Sequence, residues 1–303
     1  MRRYYMLSVK NITKKYGENV AVDNLSFTVD KGEIFGLLGE NGAGKTTTFR
    51  IIMGLLEPNA GEVSLDGKKI DYNETDKIGF VTEERSLLTK LTVQEQIEFY
   101  GILKGMDKEV IDKRLNYWLE KFEITSYKDR KIKELSKGNQ QKIQFISAII
   151  NEPKLLILDE PFTGLDPLNV KLMKDAIYDL KKKGCSIIFS SHQMEYIEDF
   201  CEKLILLVKG KTILNGKLSD IKEKYAKKNI FVKGSDIDID KIKKVSGVIS
   251  VSKKRDELVI QIENKNVAPK VFDIVKNSNI TKYDVAEPSL NEIFIASVGG
   301  IHE

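Results

Sequence analysis

The sequence has two cysteines, Cys185 and Cys201. Their separation fits neither a metal cage nor a redox pair, so both are expected as small buried hydrophobes. Long apolar runs are missing. The longest, such as residues 145–150 and 204–208, fall far short of the roughly 18 needed to cross a bilayer. The opening stretch, MRRYYMLSVKN, turns polar too early for a signal peptide, and the cytosol is the expected compartment. Charge of one sign is missing as well: 49 Lys and Arg face 45 Asp and Glu, leaving +4. No basic tail or block recruits nucleic acid by charge alone. No internal repeat or low-complexity segment occurs. What is there is ordinary in bulk: 41% hydrophobic and 31% charged residues match a soluble globular average and exclude disorder and fibres. A chain of 303 residues suggests two domains, or a large one with an appendix. It can bury about three quarters of its unfolded surface without staples.

Up to about Lys224, short apolar runs alternate with helical stretches, the pattern of an α/β layer structure. Strands are expected at residues 6–10, 25–29, 34–38, 78–81, 155–158, 187–190 and 204–208. The unbroken runs at 34–38 and 155–158 suit strands buried on both faces. Asp66-Gly67 and Lys209-Gly210 fit hairpin turns. Between Thr92 and Leu135 the strand signal disappears. Thr92 with Glu95 forms a capping box that opens a helix to about Lys104. Val110, Ile111, Leu115, Trp118, Leu119 and Phe122 place a second helix over residues 107–122. From Asn229 the periodicity restarts: a strand at 230–233, a helix at 239–245, a hairpin of 249–252 and 258–262, a helix at 267–276 and a strand at 280–285. This βαββαβ order is that of a small ferredoxin-like α+β domain. Ser289 with Glu292 caps a last helix over 290–296. The expected domains are therefore 1–228 and 229–303, with an inserted helical subdomain at about 84–140.

Gly39-Glu40-Asn41-Gly42-Ala43-Gly44-Lys45-Thr46-Thr47 fits the phosphate-loop pattern. It lies between the apolar run ending at Leu38 and a helix expected to reach about Met53. Glycines let backbone N–H groups turn in on phosphates, and the helix N-terminus adds favourable potential. Lys45 is expected to reach the β- and γ-phosphates of ATP, and the Thr46 hydroxyl to meet Mg²⁺. Further on, the run Leu155-Leu156-Ile157-Leu158 delivers Asp159 to a strand end, where it can hold the metal. Glu160, next in line, can polarise the attacking water. An apolar run ending in Asp-Glu is by itself an ordinary strand terminus; the phosphate loop upstream changes that reading.

Together these motifs resemble the ATP-binding subunit of an ABC transporter, a P-loop ABC ATPase with a mixed-sheet core and an inserted helical subdomain. The resemblance covers about residues 5–225. Leu135-Ser136-Lys137-Gly138-Asn139 stands where that family has its LSGGQ signature; Leu135, Ser136 and Gly138 match, while Lys137 and Asn139 depart. The resemblance implies that Ser136 and the Gly138 amide face the γ-phosphate held by a second subunit. Asp166, in Gly164-Leu165-Asp166-Pro167, resembles the loop that contacts the opposite active site. His192 resembles the switch histidine of the γ-phosphate, and Tyr16 the aromatic ring under adenine. The family's glutamine after the strand at 78–81 is missing, since no glutamine occurs between Glu62 and Val93. Glu83 takes its place and is expected to sense Mg²⁺, with negative charge added beside the γ-phosphate.

The ending Glu287-Pro288-Ser289-Leu290-Asn291-Glu292-Ile293-Phe294, with the LSKGNQQK signature, is similar to a branch with separate permease chains, including sodium-efflux and bacitracin-type exporters. The resemblance implies an ATPase that works as a homodimer or with a paired ATP-binding subunit, bound to integral membrane permease subunits and to no nucleic acid. Its implied place is cytoplasmic, peripheral on the inner face of the cell membrane. Other classes share these motifs. A ribosome-associated ABC protein usually fuses two ATP-binding halves, whereas this chain has one phosphate loop. A chromosome-maintenance ATPase separates its motifs with a long coiled coil, for which residues 45–159 are too short and lack heptads. A regulatory ATPase module not engaged in transport is the mildest alternative, motivated by the altered signature and by Glu83.

Overall fold

The computed structural model describes residues 6–70, 72–225, 228–286 and 288–299. Glu287, the first residue of the C-terminal branch pattern, lies outside the described residues. The chain opens with an antiparallel pair, β1 (Leu7–Tyr16) and β2 (Asn19–Val29). Both are longer than their alternation suggests, and the reason is local. Asn11 and Asn24 adopt left-handed backbone angles (φ 49° and 50°), and the Asn11 Nδ2 donates to Asn24 Oδ1 at 2.9 Å. The register shifts there, and such a bulge breaks the period-2 pattern without ending the pairing. β3 (Ile34–Leu38), buried throughout, runs through the glycine loop into α1 (Lys45–Ile52). β4 (Ala60–Leu65) and β5 (Lys68–Lys69), turned at Asp66-Gly67, complete a sheet ordered β2-β1-β4-β5.

β6 (Ile78–Val81) leads to the helical lobe, α2 (Val93–Leu103), α3 (Lys108–Lys121) and α4 (Lys137–Ile149). Both bonds of the capping box at α2 form, Glu95 N–H to Thr92 Oγ1 and Thr92 N–H to Glu95 Oε2. Ile111, Leu115, Trp118, Leu119 and Phe122 are buried, and Trp118 and Phe122 meet Phe145 of α4 edge-on. Val110 differs from its expectation: it is exposed, because at one residue before Ile111 it turns off the buried stripe. β7 (Leu155–Asp159), α5 (Pro167–Lys182), β8 (Ser186–Ser190), α6 (Met194–Phe200), β9 (Lys203–Val208) and β10 (Lys211–Lys217) follow. The main sheet is ordered β10-β9-β3-β8-β7-β6, and the pairs from β9 to β6 are parallel. Parallel strands covered on both faces read as continuous apolar runs, which is why 34–38 and 155–158 were legible. Their carboxyl ends lie side by side, so Gly39, Asp159 and Ser190 come out at one edge, where open α/β sheets place ligands.

The chain divides into two units, Met1–Gly216 and Lys217–Glu303. Periodicity puts the boundary at residue 228. The difference is α7 (Leu218–Lys224), which falls in the second unit. That unit continues with β11 (Lys228–Ser235), α8 (Ile239–Lys243), β12 (Val248–Lys254), β13 (Glu257–Ile262), α9 (Ala268–Val275), β14 (Asn279–Ala286) and α10 (Leu290–Gly299). The antiparallel order β12-β13-β11-β14 is the ferredoxin-like arrangement. Ile230, Val232, Ile260 and Ile262 on one sheet face pack against Ile242, Val271 and Val275 of the helices. Ser289 and Glu292 form both bonds of their capping box.

Candidate functional site

The phosphate loop owes its shape to glycines at two positions. Gly44, with φ 105°, caps α1 without a side chain, and a Cβ there would lie 2.4 Å from the Ala21 carbonyl oxygen. A Cβ on Gly39 would meet Leu207 O at 2.6 Å. The N-cap therefore makes no side-chain hydrogen bond to the first N–H groups of α1, which leaves them for an anion. Lys45 is buried, and its Nζ donates to Gly39 O at 2.6 Å and Glu40 O at 3.1 Å. The cation thus lies folded across the loop.

Asp159 ends β7 beside Ser190, the last residue of the adjacent strand β8. Ser190 Oγ donates to its Oδ1 at 2.5 Å. Burial pushes the Asp159 carboxyl above its ordinary value, with the Ser190 bond and the Lys45 charge opposing and the Glu160 and Glu83 charges adding. Glu160, also buried, adopts φ 51°, a strained left-handed conformation for a non-glycine residue. Its N–H donates to Ser190 O at 3.2 Å. Its Oε2 lies 2.9 Å from Nδ1 of His192 and accepts from Ser191 Oγ at 3.3 Å. The imidazole itself is exposed, with 57% of its side-chain surface accessible.

A cavity of about 360 Å³ is lined among others by Glu40, Asn41, Gly42, Gly44, Thr46 and Thr47, while His192 lies outside the lining and meets it through Glu160. Lys45, Glu83, Asp159 and Glu160 line it too, as do Asn19–Ala21 and Lys209. Thr46, Asp159 and Glu83 supply hard oxygen donors to one space, a set that fits Mg²⁺. Gly39 and the buried Ala43 do not line the cavity, and a Cβ on Gly39 would lie 2.7 Å from that of Ala43. Tyr16 stands outside the lining, half-exposed at the end of β1 beneath Lys14 and paired with Asn19 of the rim.

Ser136, Gly138 and Asp166 do not line this cavity. Ser136 caps α4, accepting from Asn139 N–H at 3.3 Å, and Asp166 caps α5, accepting from Asn169 N–H at 3.0 Å. That backbone bond, with the Asn169 side chain, holds the Asp166 carboxyl below the usual range. A Cβ on Gly138 would lie 3.3 Å from Asn169 Nδ2, so the two helix N-termini stand together as a second set.

Sequence reading missed several members. Ser190 and Ser191 stood in the Ser190-Ser191-His192 motif, but only the β7–β8 pairing reveals their targets. Asn19–Ala21 and Lys209 carry no signal, since they line the cavity through chain placement. Gln141, Lys142 and Gln144 of α4 are buried, donating respectively to Pro161 O at 3.4 Å, Phe122 O at 3.0 Å and the Thr82–Glu84 segment. Burial lowers the Lys142 pKa. The two cysteines are buried as expected, and burial pushes Cys185 up to about 12.

Residues 22–163 match the family model described as ABC transporter, and residues 216–298 match that of the ATP-binding protein DrrA1-3-like, C-terminal domain. The uncharacterized ABC transporter ATP-binding protein YhaQ of Bacillus subtilis (strain 168) is 46% identical, covering 98% of this chain and all of its own length. Nod factor export ATP-binding protein I of Burkholderia lata is 35% identical over 69% of this chain and 70% of its own. The ATP-binding cassette MJ0796, solved as a dimer in a post-hydrolysis state with ADP and Pi, superposes with a TM-score of 0.64 and 30% identity. That match covers 70% of this chain and 99% of the cassette.

Proposed function

Because the chain belongs to the ABC transporter family as an ATP-binding subunit and ATPase, we propose that it powers export through a separate permease, two copies closing together on ATP. The observation that carries this reading is the division of the nucleotide groups. One copy gathers Lys45, Thr46, Asp159 and Glu160 around a cavity, while Ser136, Gly138 and Asp166 stand together outside it. A second copy, turned to face the first, supplies them.

In this reading the backbone of residues 39–47 cradles the phosphates, and Lys45 leaves the Gly39 and Glu40 carbonyls for the β- and γ-phosphate oxygens. Thr46, Asp159 and Glu83 hold Mg²⁺, which when bound neutralises phosphate charge. Glu160 takes the proton of the attacking water, oriented by His192 and Ser191. Tyr16 stacks under adenine. Ser136 and the Gly138 amide of the facing copy bind the γ-phosphate through a hydroxyl and an unhindered N–H, and Asp166 contacts the opposite site. Glu160→Gln keeps the shape of the site and removes the base. That variant should form a dimer with ATP in light scattering and be monomeric without it. A monomer at saturating ATP would remove the two-copy mechanism.

Permease docking is supported by α2, where Phe99, Ile102 and Leu103 form one exposed apolar stripe at helical spacing. Among the described residues no helix is long and apolar enough to cross a membrane. The permease in this reading is a separate chain that holds the ATPase at the inner face of the membrane. The direction, export, rests on the relative named for Nod factor export.

A further inference from the structure

Glu83, alone among the proposed metal-binding side chains, sits on an exposed segment between secondary-structure elements. Such a segment needs an anchor if its carboxylate is to reach one place in the cavity. The anchor comes from α4. Gln144 is 5% exposed, and its Nε2 donates to Thr82 Oγ1 at 2.9 Å, Thr82 O at 3.1 Å and Glu84 O at 3.3 Å. These acceptors bracket Glu83 on both sides. Thr82 Oγ1 in turn donates to Glu84 O and lies 3.0 Å from Ser86 Oγ, closing the turn on itself.

The other amide atom, Gln144 Oε1, is buried with no hydrogen-bond partner among the described residues. An unmade bond to a buried acceptor opposes folding. A methionine, of similar length and without either polar atom, would fill the space and remove that burden. Gln144 is therefore a poor choice for stability alone, and its single bonded end points at the Glu83 segment. Gly138 lies six residues earlier on the same helix, about 9 Å along its axis.

We propose that Gln144 is the positioning residue of Glu83 and ties it to α4. When a second copy closes on Ser136 and Gly138, any shift of α4 carries the Glu83 carboxylate with it. Glu83 thus reports closure to the metal site. This rests on the reading of Glu83 as a metal-binding group.

The test compares the wild type, Gln144→Met, Glu83→Ala and the double variant. Gln144→Met should keep or raise the melting temperature. In the nucleotide- and metal-free protein, it should speed tryptic cleavage after Arg85, in the exposed segment, by about tenfold, as local opening becomes easier. It should also raise the Mg²⁺ concentration for half-maximal ATPase by about tenfold, the usual scale for a group that orients a metal ligand. Glu83→Ala should raise that concentration too, and the double variant should go no further. Gln144→Glu, which turns a carboxylate on the same carbonyls, gives a second variant with the same shifts in loop opening and Mg²⁺ requirement, at a lower melting temperature. Unchanged cleavage after Arg85 in Gln144→Met overturns the anchor. A shifted requirement in Glu83→Ala that multiplies with Gln144→Met in the double variant overturns Gln144 alone. An unchanged requirement in Glu83→Ala removes the metal role of Glu83, and the anchor's purpose with it.

Discussion

Asp159→Asn should stabilise the nucleotide-free protein while ending its chemistry. Burial raises the Asp159 carboxyl above its ordinary 3.8. Between that value and the raised folded one, the folded protein holds a proton that the unfolded chain has released. Stability therefore falls as pH rises through this window, and above it the cost of the buried charge is fully present. Asparagine keeps the shape, and its Oδ1 still accepts from Ser190. The charge-assisted Ser190 bond is worth roughly 1.5–3 kcal/mol and loses about half of that with a neutral acceptor. The buried charge costs several kcal/mol, and the upward shift shows that burial, with the Glu160 and Glu83 charges, outweighs the bond and Lys45 together. The net gain should be on the order of 1 kcal/mol, or about 2–4 °C for a unit of this size. Thermal unfolding in chelator, without nucleotide, at neutral pH measures it. The gap to wild type should narrow as pH is lowered toward the ordinary carboxylate range. Phosphate release should fall by about a hundredfold or more. A well-folded Asp159→Asn protein that melts below wild type at neutral pH would refute the reasoning.

Gly44→Ala forces a Cβ to 2.4 Å from Ala21 O at φ 105°. It should cost about 2–4 kcal/mol in denaturant titration and abolish nucleotide binding; a stable, ATP-binding variant would mean that the loop can relax. His192→Ala removes an exposed ring 2.9 Å from Glu160. Its melting temperature should hold while phosphate release drops about a hundredfold, and a loss of stability at unchanged turnover would count against its role.

The parts legible in the sequence are those fixed by local chemistry. The phosphate loop needs glycines at set spacing, the buried parallel strands need unbroken apolar runs, and the helix starts at Thr92 and Ser289 need a capping pair. Each is written within a few residues. Long-range pairing is not. Nothing near Ser190 shows that its hydroxyl reaches Asp159, because the two meet only when β8 lies beside β7. Gln144 reads as one polar position on an amphipathic helix until the fold brings the Thr82–Glu84 segment beneath it. β1 and β2 were half hidden because paired asparagines at a bulge interrupt the alternation. Ser136 and Asp166 were found by motif, yet within one copy each does only what any N-cap does. Their distance from the cavity becomes meaningful once a second copy is considered.

The most direct test of the motor account is a pull-down of tagged Glu160→Gln protein from detergent-solubilised host membranes with ATP, identified by mass spectrometry. The account expects one polytopic membrane protein recovered in stoichiometric amount. Recovery of ribosomal proteins, or of soluble partners alone, would contradict it.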